Sequence, residues 1–96
     1  MSAGYVIAQL KVTNPDKYNE YVAKVSEVVK KFGGEYLVRN GEYQVVEGED
    51  NFPRIVIIKF PTYEKALEWY HSDEYKPVKD IRLQNSEGSN IIVKGI

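Results

Sequence analysis

Residues 54–60 read "RIVIIKF", a strand whose apolar residues run almost unbroken. A strand with one wet face alternates apolar and polar side chains, so a run like this calls for cover on both faces. The chain has 96 residues, which suits one domain spanning 1–96 and leaves few elements to supply that cover. A two-sided strand in so short a chain is the main constraint on the fold.

The flanking segments narrow the choice. "GYVIAQLKVT", 4–13, is rich in β-branched residues, and Ala8, Leu10 and Val12 alternate with Gln9 and Lys11, which predicts a strand with a buried face. Residues 14–34 are punctuated as a helix. Asn14 suits the cap, Pro15 the first turn, and Asp16 the positive end of the dipole. Tyr18, Tyr21, Val22, Val25, Val29 and Phe32 form one apolar stripe, and Gly33-Gly34 ends the helix. Residues 35–49 are strand-like on both sides of Asn40-Gly41, which reads either as a tight hairpin or as one long bent strand.

After the loop 50–53 and the strand 54–60, Thr62 caps a helix over 61–71. Tyr63, Ala66, Leu67 and Tyr70 share a face of it, which makes Tyr70 core and leaves Trp69 to pack at an edge or meet a partner. Ser72 reads as a second cap, and Pro77 prevents one continuous helix, so a short helix follows from about Pro77 to Leu83. "NSEGS" is a loop, and 90–96 is the last strand. The order is βαββαβ: an α+β fold with an antiparallel sheet and helices on one face. The other face then needs cover, and a second copy of the chain is the economical source.

Composition removes several functions. Thirteen basic against fourteen acidic residues, with no long run of one sign, argue against a nucleic-acid or anionic-membrane partner. No apolar stretch reaches membrane-spanning length, and the N-terminus lacks a signal peptide's charge and apolar core, so a cytoplasmic protein is expected. With no Cys, one His and scattered acids, no metal site is expected. No glycine-rich phosphate loop appears either, and no cofactor is expected.

Whole-chain motifs resemble a known family. They are "YVIA" at 5–8, "NPDKY" at 14–18, "GGEYLVR" at 33–39, "VEG" at 46–48, "KFPT" at 59–62, "WYHSDEY" at 69–75 with Arg82 beyond, and "IVKG" at 92–95. Together they are similar to the family catalogued as domain of unknown function 1330, within the dimeric α+β barrel superfamily. The resemblance implies a ferredoxin-like protomer whose sheet packs on a partner's, and it favours the bent strand over the hairpin. It supplies no function; superfamily relatives include cofactor-free oxygenases, small-molecule isomerases and haem-dependent enzymes. Lys59 departs from the acid expected there in many relatives.

The candidate chemistry sits in few residues. His71 can act as a general base, or can sit at a helix C-terminus where an imidazolium suits the dipole. Ser72 is better placed as a cap than as a nucleophile, since no nucleophile elbow surrounds it. Tyr75 carries an amphipathic ring in the turn. Arg39, Arg54 and Arg82 are either solvated, with Glu47 the natural partner, or converge on the cleft between helices and sheet and hold an anionic group bidentately. A buried Glu47 with a raised pKa would be a candidate base. Three readings follow. The first is a homodimer that binds a small anionic or aromatic organic molecule, with Arg39, Arg54, Ser72, Tyr75 and Arg82 in the binding set. The second is a cofactor-independent oxygenase or isomerase with His71 or Glu47 moving a proton. The third is a structural dimer module.

Overall fold

The computed structural model describes residues 2–96. Seven elements follow in order: β1 (Gly4–Val12), α1 (Pro15–Lys31), β2 (Glu35–Arg39), β3 (Arg54–Phe60), α2 (Tyr63–Tyr70), α3 (Lys76–Asn85) and β4 (Ser86–Lys94). The strands form one sheet in the order β2-β3-β1-β4, with every neighbouring pair antiparallel. This is the ferredoxin-like α+β arrangement, with the helices on one face. Among the described residues no helix is long and apolar enough to cross a membrane.

Local chemistry explains the helix boundaries. Asn14 caps α1 by accepting from the Lys17 amide at 3.2 Å, and Pro15 opens the first turn. Gly33, at φ 82, takes the left-handed conformation that ends the helix. Thr62 caps α2 by accepting from the Lys65 amide at 3.0 Å. Ser72 bridges α2 and α3: its Oγ donates to the Trp69 carbonyl at 2.8 Å and accepts from the Tyr75 amide at 3.1 Å. α1 packs on α3, and α2 lies on the sheet.

Alternate residues of each strand point to opposite faces. Val6, Ala8 and Leu10 of β1 face the helices with Ile58 and Phe60 of β3, and join Tyr18, Tyr21, Val25 and Val29 of α1 in the core. The opposite face carries a row across all four strands: Val38, Ile57, Ile7 and Ile91. Leu37, Ile91 and Val93 remain 48%, 54% and 43% exposed.

Four expectations change. Residues 41–53 form neither a hairpin nor a bent strand: β2 stops at Arg39, Asn40 turns the chain at φ 57, and the backbone beyond it pairs with no strand before Arg54. In α2 the buried aromatic is Trp69, at 1% exposure, while Tyr70 is half-buried. The stripe of a helix this short is set by Ala66 and the next residue three on, which is Trp69. α3 runs three residues further than Pro77–Leu83 predicts, from Lys76 to Asn85. β4 starts at Ser86, inside the expected loop, because Gly88 lies flat against β1; a Cβ there would collide with the Gln9 carbonyl.

Candidate functional site

A second cross-sheet row faces the helices: Arg39, Val56, Ala8 and Asn90, with Arg54 opposite Leu10 in the next register. Ala8 and Val56 are short, so helices resting on the larger flanking residues leave a space above them. That space is a cavity closed by Tyr18, Tyr21, Val22 and Val25 of α1, Trp69 of α2 and Arg82 of α3. Its volume is ≈ 30 Å³, far below the roughly 300–1,000 Å³ of a site that encloses a whole drug-sized ligand. The enclosed part is tight, with room for about two waters.

Three arginines from three elements border the cavity, and no carboxylate does. Arg54 lies over the Tyr18 ring, its Cζ 5.0 Å from the centroid. Arg39 lies over Tyr36 at 4.4 Å and donates from Nη2 to the Val22 carbonyl at 3.3 Å. It is the exposed member of the lining, which puts it at the mouth. Arg82 is 5% exposed, yet its Nε and Nη2 have no hydrogen-bond partner among the described residues. Arg54 Nε, Trp69 Nε1 and Asn90 Oδ1 are unpartnered in the same way. The ion pairs found, Lys17–Glu20, Lys31–Glu74 and Lys65–Glu68, lie on the surface and use lysines. A desolvated guanidinium without a counter-charge is unfavourable, so this arrangement invites an anion.

The tyrosines complete the site's electrostatics. Tyr21 and Tyr75 share a hydrogen bond at 2.8 Å, and Tyr75 stacks on Trp69 with centroids 4.2 Å apart. Burial holds the Tyr21 pKa well above the ordinary phenol value, with Tyr75 adding to the rise. Burial also raises Tyr18 against the pull of Arg54, and Tyr75 against that of Arg82. For Arg82, burial pulls the pKa down, but the phenols of Tyr75 and Tyr21 outweigh it and the net shift is upward. At neutral pH the cavity therefore holds charged guanidiniums and protonated phenols, which attract and hydrogen-bond a negative group.

The sequence candidates divide. Arg39, Arg54 and Arg82 come together around the cavity. Tyr75 lies beneath it, buried and bonded to Tyr21. Ser72 is a cap rather than part of the lining. His71 is exposed at the C-terminal end of α2, its ring edge-on to Tyr70 with centroids 5.2 Å apart. It does not line the cavity but faces a shallow neighbouring groove with Leu67, Tyr70, Ile92 and Asn90, the last of which also borders the cavity. Glu47 is exposed in the segment after β2, so it is neither buried nor a partner for the arginines. Tyr18, Tyr21, Trp69 and Asn90 are site residues that the sequence reading placed in packing or in the last strand. Two tyrosines among valines on a buried stripe were the available signal, because their hydroxyls need partners inside.

Comparison with known proteins fits this fold. The chain is similar over its whole length to solved structures of low sequence identity. A protein of unknown function from Rhodopseudomonas palustris superposes with a TM-score of 0.75 at 13% identity, over 99% of this chain and 83% of that one. SnoaB from Streptomyces nogalater, described as a cofactor-independent oxygenase, gives 0.68 at 9% identity, over 100% and 95%. A conserved protein from Methanosarcina mazei gives 0.58 at 18% identity, over 98% and 91%. At these identities the likeness shows the fold. Among proteins of curated description, none matches the sequence. The family model of domain of unknown function 1330 matches residues 3–96, and the chain belongs to that family.

Proposed function

We propose that this protein is a homodimer that binds a small organic anion in the cavity between its helices and its sheet. The observation that carries the reading is Arg82: a guanidinium 5% exposed, with two unpartnered nitrogens, in a cavity that contains two more arginines and no acid. A purely structural role leaves that buried charge without a reason. Support for the dimer is the aliphatic row Val38, Ile57, Ile7 and Ile91 on the sheet face opposite the helices, with Ile91 54% exposed. Catalysis by an oxygenase or isomerase would need a proton-moving group at the bound molecule. Neither His71 nor Glu47 lines the cavity, and the titratable hydroxyls that do are those of Tyr18, Tyr21 and Tyr36.

Thermal unfolding with a panel of small carboxylates, phenolates, phosphonates and sulfonates, each beside a neutral analogue, tests the binding. An anion at about a hundred times its Kd stabilises the folded protein by about 2.7 kcal/mol. No anion raising the Tm above its neutral analogue would remove the proposal.

A further inference from the structure

The kind of anion follows from which nitrogens are unpartnered. In Arg82 they are Nε and Nη2, the two nitrogens along one edge of the guanidinium plane. Their N–H bonds run side by side, at the spacing of two oxygens on one planar carbon. Arg54 Nε and Trp69 Nε1 add two further buried donors on the same cavity. That makes four N–H donors, and a carboxylate has about four lone-pair sites to receive them.

We propose that the cavity is a seat for a small monocarboxylate, gripped side-on by Arg82 and completed by Arg54 and Trp69. This rests on the anion-binding reading and narrows it to one chemical class. A tetrahedral phosphate or sulfonate presents a third oxygen out of the guanidinium plane. A carboxylate places both of its oxygens in the plane of the Arg82 edge and leaves none outside it. Arg54 is held on the Tyr18 face, so its donor is in place before anything binds. Asn90 also borders the seat, and its amide can turn to offer Nδ2 in place of the unpartnered oxygen. Toward Arg39 the walls are Val22, Tyr36 and Val56, so the body of the molecule is apolar. The tight enclosed part admits the carboxylate head, and the body, a short branched chain or a single ring, lies toward the mouth.

The only Trp of the chain is in the seat, so one indole N–H resonance reports on it in a ¹⁵N-labelled sample. The native protein is titrated with benzoate and 2-methylpropanoate, and with benzamide, phenylphosphonate and benzenesulfonate as comparators. The expected result is a saturable downfield movement of the indole resonance with a carboxylate, at least tenfold tighter than with phosphonate or sulfonate, and none with benzamide. Arg82→Lys keeps the charge and loses the planar edge, so carboxylate affinity falls at least tenfold; if that variant fails to fold, the native titration decides alone. Equal or tighter binding of phosphonate or sulfonate would overturn the carboxylate seat and leave anion binding standing. The same holds if carboxylates raise the Tm without moving the indole. No response to any anion, in Tm or in the indole, would end both proposals.

Discussion

On one side of the sheet a row runs Val38, Ile57, Ile7, Ile91; on the other, offset by one residue in β1, β2, β3 and β4 alike, a row runs Arg39, Val56, Ala8, Asn90. The face opposite the helices has the aliphatic row, flanked by Gln9 and Lys59, while the face beneath the helices has a row with polar ends, and Arg82 is buried above it. A domain that worked alone would arrange these the other way round, with its polar residues toward water. The inner face gives up packing at Ala8, and the cavity lies there. The outer face keeps aliphatic side chains that gain nothing until another sheet covers them.

The sharpest way to break this contrast is a charge in the outer row. Ile57→Glu lies at the middle of it. In a two-fold dimer the substitution enters the interface twice, and burying one Ile is worth about 1.5–3 kcal/mol, so the dimer should lose at least about 3 kcal/mol. Sedimentation equilibrium should show the native protein as a dimer and the variant largely as a monomer that still folds. A native protein that sediments as a monomer would leave the outer row unexplained.

Arg82 tests the inner face in the opposite direction. Replacing a buried guanidinium that has two unpartnered nitrogens with Met should stabilise the ligand-free protein by about 1–3 kcal/mol in urea unfolding, while abolishing anion binding. Stability rising as function falls would mark Arg82 as a residue kept for its ligand. If Arg82→Met is instead less stable, the guanidinium is part of the packing, and the contrast between the two faces weakens.

What could be read from the chain depended on distance along it. Asn14, Pro15, Gly33 and Thr62 act within one helical turn of their own position, so their roles were visible in the sequence. Asn40-Gly41 is also a local signal, but a turn becomes a hairpin only if the next segment finds a strand to pair with, and residues 41–53 do not. Glu47 as a buried base or an arginine's partner assumed a strand there, and without one it is exposed. The exchange of Trp69 for Tyr70 is a matter of helical phase: one residue is about 100° around an α-helix, and eight residues give little to fix it by. The convergence of Arg39, Arg54 and Arg82 is set by sheet register and by the packing of α3. None of that is local, so the sequence left the three arginines as alternatives.

The smallest effect concerns the phenols under the cavity. Tyr21→Phe removes the buried Tyr21–Tyr75 hydrogen bond, a loss of about 1 kcal/mol at neutral pH. The pH dependence fixes the cause. Burial raises the folded-state pKa of Tyr21 above the unfolded value near 10. A group shifted in that direction contributes its stability fully below the unfolded pKa and loses it as pH rises toward the folded one. Native protein should therefore weaken above pH 10 more steeply than Tyr21→Phe, and the gap between them should narrow. Tyr18, Tyr36 and Tyr75 are raised by burial as well, so both proteins decline there, and only the difference reports on Tyr21. Urea midpoints from pH 7 to 11 would show it. A gap that stays constant would mean that Tyr21 acts by packing alone, and that the inner face is less polar in its energetics than its residues suggest.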